Sequence, residues 1–137
     1  MRRLFADAMY WIAIANHKDQ WHAKAVHMMR SLGQATLVTT EEVLDEFLTY
    51  YSGHGPILRN NAAQTVEDAL ADPLVIVRPQ THQSFLDGFG LYKARLDKEY
   101  SLTDCISMQT MRREGLTEAL TKDRHFEQEG FRVLFRE

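Results

Sequence analysis

The chain is poor in cysteine: Cys105 stands alone among 137 residues. That excludes an internal disulfide and a cysteine-rich zinc site. There is no long apolar run; none approaches the roughly 20 residues needed to cross a bilayer. Arg2 and Arg3 before an apolar stretch look superficially like a secretory leader. Asp7 interrupts that stretch, however, and residues 8–15 are short for such a core. A strand followed by a short helix accounts for it better, and a cytoplasmic location is the expectation. An excess of positive charge is also lacking. The formal net charge of −3 argues against a broad basic platform for nucleic acid. A nucleic-acid enzyme remains open, because clustered site acids would lower the total and a bound divalent cation would offset them. Internal repeats, low-complexity tracts and linkers are absent.

What is present is ordinary for a globular protein: 45% hydrophobic and 26% charged residues. The length suits one domain, residues 1–137, with its own core. Residues 3–6 read as a strand stopping at Asp7, and Trp11, Ile12, Ile14 and Ala15 as a short helix. Asp19 is a plausible cap for a helix over 20–32, stopped by Gly33. Residues 36–39 form a second strand, followed at once by a helix over 41–52. Pro56 suits the first position of the next helix, which Asp72 and Pro73 end. Residues 74–77 are a continuous apolar run of the kind buried on both faces of a sheet. A helix over 80–96 follows, then one containing Asp104, a strand at 119–121, a helical turn at Phe126 and a strand over 132–135. Strands alternating with helices imply an α/β fold: a three-layer α/β/α sandwich around a mostly parallel sheet.

Four acids fall at strand ends or on the helices that follow. Asp7 ends the first strand; helix capping is its structural alternative. Glu46 lies beside Phe47 and three residues after Val43, so it should border the apolar face half-buried, which is costly without a partner. Glu42 has a structural reading instead, as the far end of a capping box with Thr39. Asp104 fits a capping box with Ser101, yet shares an inward face with Met108 and Met111. Asp123 follows the strand at 119–121 and could form an Asx turn. In an open α/β sheet these positions gather on one edge, where ligands bind. Several carboxylates packed together cannot all stay ionised without cations. Oxygen ligands without a cysteine or histidine cluster point to Mg²⁺ or Mn²⁺, and to phosphoryl-transfer chemistry on water. His125 could touch substrate or face solvent. Lys93, Arg95, Lys98 and Arg124 are candidates for phosphate contacts; a solvated helix face is the alternative for the first three.

An aspartate ending the first strand, Asp45-Glu46-Phe47 after the second, SLTDCIS at 101–107, and ALTKDRHF at 119–126 before a final Gly130-Phe131-Arg132-Val133-Leu134 segment resemble the PIN-domain ribonucleases. The nearest resemblance is to VapC-type toxins of toxin–antitoxin pairs, and it spans nearly the whole chain. The resemblance implies a PIN-like fold and a Mg²⁺- or Mn²⁺-dependent endoribonuclease acting on RNA. It places the family's acids on Asp7, Glu46, Asp104 and Asp123, with Asp97 as an accessory acid. It also implies a homodimer and a small antitoxin, with a basic or apolar tail, that blocks the acidic pocket. The family often carries hydroxyl or amide side chains after its first aspartate; Ala8 and Met9 stand there instead. The alternative is a non-catalytic module of the same fold, whose acids cap helices or hold a basic partner.

Overall fold

The computed structural model describes residues 1–136. Strand β1 (Arg2–Ala6) leads to helices α1 (Ala8–Ala15) and α2 (His22–Leu32), then strand β2 (Ala35–Thr40). Helices α3 (Glu41–Tyr51) and α4 (Pro56–Ala71) follow, then β3 (Val75–Arg78), α5 (His82–Ala94) and α6 (Leu102–Glu114). The chain closes with β4 (Glu118–Leu120), α7 (His125–Gln128) and β5 (Arg132–Val133). The five strands form one sheet in the order β3-β2-β1-β4-β5, and every pairing is parallel.

That order determines the layers. From β1 the chain steps outward to β2 and β3, then returns past β1 to β4 and β5. Parallel crossovers are right-handed. Stepping one way puts α1–α4 on one face; stepping back puts α5–α7 on the other. The helix contacts agree: α1 packs on α2, α3 and α4, and α6 packs on α5 and α7. The expected three-layer α/β/α sandwich is the observed one.

The core follows β1, the central strand, whose Leu4, Phe5 and Ala6 are fully buried. Phe47 and Tyr51 of α3 and Met108 and Met111 of α6 are buried in the same hydrophobic cluster. Burying such side chains is worth roughly 1.5–3 kcal/mol each.

Several local expectations are corrected. The apolar run at 74–77 is not buried on both faces. It becomes the edge strand β3, every residue of which is only partly buried, because an edge has a neighbour on one side. Asp19 does not cap α2. Its Oδ1 accepts the Trp21 N–H at 2.8 Å in an Asx turn, and the helix starts later, at His22. Helix α5 is shorter than expected at both ends, capped by a reciprocal Thr81–Ser84 box.

Candidate active site

In a sheet ordered this way the switch point lies between β1 and β4, the adjacent strands from which the chain departs in opposite directions. Ligands of open α/β sheets bind there, at the strands' carboxyl ends. Asp7 directly follows β1, and Thr121-Lys122-Asp123 directly follows β4. Helices α3 and α6 touch one another, and they carry Glu46 and Asp104.

Asp7 occupies the cap position of α1 but makes no capping bond with its side chain. It is buried instead, and its Oδ2 accepts the Thr121 hydroxyl at 2.8 Å. Loss of hydration pushes its carboxyl up to about 7; the Thr121 bond opposes this, while the charges of Asp104 and Glu46 add to it. The Thr121 hydroxyl also accepts the Asp123 N–H at 3.1 Å. One fully buried threonine thus ties the first acid to the loop that carries the last. It supplies a hydroxyl to Asp7, which Ala8 and Met9 cannot.

Asp104 fulfils both readings made of it. Ser101 N–H donates to its Oδ2 at 3.1 Å, and its own N–H donates to Ser101 Oγ at 3.0 Å, a complete capping box. The same carboxylate faces inward, with Oδ2 3.5 Å from His125 Nδ1. Burial raises its pKa, Ser101 lowers it, and Asp123 raises it again. Asp123 forms the expected Asx turn, Oδ1 accepting the His125 N–H at 2.9 Å, and the same oxygen lies 3.2 Å from His125 Nδ1. Ligand atoms of Asp104, Asp123 and His125 all lie within 4.8 Å of one another.

Glu46 departs from expectation in one respect: it is exposed, not half-buried. Its carboxyl nevertheless borders the cleft. Its pKa is raised by lost hydration first, then by Asp104 and Asp123. The cleft, of about 520 Å³, is lined by Asp7, Met9, Glu46, Asp123, Lys122 and Arg124 among others. Glu42 is not in a capping box with Thr39. The cap of α3 is Thr40, whose hydroxyl accepts the Val43 N–H. Buried Thr39 donates to the Ala6 carbonyl across the sheet, and Glu42 accepts the Ser84 hydroxyl at 2.7 Å, pinning α3 to α5.

No protein-family model and no curated protein matches the sequence. The tertiary structure does find a match. The crystal structure of VapC20 from Mycobacterium tuberculosis, a toxin that cleaves the sarcin–ricin loop, aligns with a TM-score of 0.81 at 23% identity. The alignment covers 93% of this chain and 95% of that one. This chain has the fold of a VapC toxin. The PIN-like architecture expected from its motifs is therefore observed.

On that VapC fold the basic candidates separate. Arg124 lines the acidic cleft, and so does Lys122, which the sequence reading passed over. Arg95 is engaged elsewhere: it pairs with the nearly buried Glu129, which Arg112 also holds at 2.9 Å. Lys93 lies over the Phe89 ring and Lys98 beside Asp97, so these three do not reach the cleft's lining. Asp97 is largely exposed, and the charges acting on Asp7, Glu46 and Asp104 do not include it. His125 is the residue most misjudged by a solvent-facing reading. Its ring sits between two carboxylates and packs against the buried Tyr100, with centroids 5.4 Å apart. Only its two-residue spacing from Asp123 hinted at this.

Proposed function

We propose that this protein is a metal-dependent endoribonuclease that hydrolyses RNA phosphodiester bonds as the toxin of a toxin–antitoxin pair. The observation that carries this reading is the convergence of Asp7, Glu46, Asp104 and Asp123 at the switch point of a VapC-like sheet. Burial raises the pKa of Asp7 and of Asp104, and neighbouring acids add to it, Asp104 and Glu46 acting on Asp7 and Asp123 on Asp104, as expected of a site that takes a cation. The donor set fits one: carboxylate oxygens of Asp104 and Asp123 stand close together, and Asp7 is near enough to sense Asp104.

In this reading Asp7, Asp104 and Asp123 hold Mg²⁺ or Mn²⁺, and Glu46 does so directly or through water. A divalent cation held there supplies the charge that acidifies a water and stabilises the leaving oxygen. The rest is done by the chain itself. Thr121 fixes the orientation of Asp7, and the Ser101 box fixes that of Asp104. Glu46, on the open side of the cleft, orients the attacking water. Lys122 and Arg124 meet the phosphates that flank the scissile bond. Among the described residues, none lining the cleft is a serine or a cysteine, so the attacking group in this reading is water. The same acids invite an arginine from an antitoxin tail. The protein works in the cytoplasm as a homodimer. No helix among the described residues is long and apolar enough to cross a membrane.

Total cellular RNA incubated with Mg²⁺ or Mn²⁺ and mapped for new ends tests the reaction. Wild type should produce discrete new ends in unstacked or looped RNA, abolished by EDTA and by Asp104→Ala. The sarcin–ricin loop, cleaved by the similar toxin, belongs among the substrates tried. Identical ends from wild type and Asp104→Ala, with metal shown to bind, would leave the acids to a non-catalytic binding module.

A further inference from the structure

The donors at this edge are not all oxygen. His125 Nδ1 stands 3.2 Å from Asp123 Oδ1 and 3.5 Å from Asp104 Oδ2. It is shielded from solvent and makes no hydrogen bond, although two carboxylates are within reach. A ring nitrogen that neither donates to these oxygens nor meets water is poorly placed unless something positive lies between them. The spacing suits such an ion. Ligand atoms at adjacent corners of an octahedron with bonds of about 2.1 Å are roughly 3 Å apart.

The ring is also held in place. Its own N–H on the backbone is bonded to Asp123, Tyr100 packs on its face, and the next residue, Phe126, is fully buried. Rotating the imidazole out would break that packing. A pre-set nitrogen beside two carboxylates changes the chemistry of the site. Mg²⁺ takes oxygen ligands and gives up water reluctantly, whereas imidazole suits Zn, Cu, Fe and Ni, and Mn²⁺, at the start of the same first-row series, accepts a nitrogen donor more readily than Mg²⁺ does.

We propose that His125 is a metal ligand of this site, making it a mixed carboxylate–imidazole centre that favours transition ions such as Mn²⁺ over Mg²⁺. The inference rests on the metal-site reading above and goes beyond it in the identity of one ligand and the choice of ion.

Mn²⁺ is its own probe. The purified full chain is titrated with Mn²⁺ by electron paramagnetic resonance, alone and against Mg²⁺, and the bound ion is examined by pulsed resonance for coupling to ¹⁴N. Wild type should show nitrogen coupling at one equivalent and hold Mn²⁺ more tightly than Mg²⁺. His125→Gln and His125→Asn should lose the coupling. The Mn²⁺ to Mg²⁺ affinity ratio should fall at least roughly tenfold, a scale on which even the outer partners of metal ligands matter. Bound Mn²⁺ without nitrogen coupling in wild type overturns the proposal while leaving the carboxylate site intact, and that spectrum needs no variant to fold. An affinity ratio unchanged in both variants overturns it equally. Failure of the chain to bind either ion overturns this proposal together with the metal dependence proposed above.

Discussion

At the scale of single residues, Asp7 is the group whose ionisation the fold displaces furthest. Its carboxyl moves from 3.8 to about 7, mainly because burial strips its water. The sign of the consequence follows from proton counting. Below pH about 4 the group is protonated whether the chain is folded or not. Between there and about pH 7 the folded protein keeps a proton that the unfolded chain has released, so rising pH favours unfolding. Above that range the folded state carries a buried charge and the penalty is constant. Asp7→Asn removes this dependence and keeps an oxygen for the Thr121 hydroxyl. In urea unfolding with EDTA present, the variant should gain on wild type by on the order of 3 kcal/mol between pH 4.5 and pH 8. Parallel stability curves would mean that Asp7 ionises like an exposed carboxylate. Mn²⁺ should raise the stability of wild type at pH 8 by mass action and do so less for Asp7→Asn.

At the scale of elements, α5 and α6 pack along one another through a glycine. A Cβ added at Gly88 would stand 2.3 Å from Ile106 Cγ1 and 3.1 Å from the Ile106 backbone nitrogen. The side chain can move, but the backbone of α6 yields only by shifting the helix that carries Asp104. Alanine at this position gains helix propensity of about 1 kcal/mol and meets an overpacking cost of typically 1–3 kcal/mol. Gly90, two residues on, meets nothing within 4 Å. Thermal melts should therefore separate two chemically identical changes: Gly88→Ala lowers the midpoint, and Gly90→Ala raises it, stabilising by about 0.5–1 kcal/mol. Both glycines lie inside α5, and nothing in their immediate neighbours along the chain sets them apart. Which one is a contact depends on what lies across from it.

At the scale of the whole molecule, α5 also presents an uncovered apolar stripe. Phe85, Leu86, Phe89 and Tyr92 recur at helical spacing and are all exposed, and the Phe85 and Phe89 rings stack with centroids 6.1 Å apart. Monomeric proteins rarely leave large contiguous apolar patches in water. The expected outcome for the homodimer proposed above is that this stripe is the face a second copy covers. Light scattering should give a dimer mass for wild type and a monomer mass for Phe89→Lys, with far-ultraviolet circular dichroism unchanged because the replaced ring is exposed. A wild-type monomer at high micromolar concentration would remove the dimer and leave the α5 face to another partner.

The alternation of strands and helices was legible in the order of residues, and with it the parallel sheet and the three layers, because crossover handedness leaves few other topologies. Local chemistry was equally legible where it acts locally: the Ser101–Asp104 box and the Asx turn at Asp123 form from neighbouring residues wherever the chain goes. The motif positions of Asp7, Glu46, Asp104 and Asp123 could also be read in advance. Strand order was not legible, and it alone made the apolar run at 74–77 an edge and put the switch point between β1 and β4. Nor could the sequence show that Thr121 bonds Asp7, 114 residues away, that Arg95 is taken by Glu129, or that His125 turns inward between two acids. Each of these is a pairing between segments that meet only after folding. Periodicity and spacing report which face of its own element a residue occupies, and the tertiary structure decides what stands opposite.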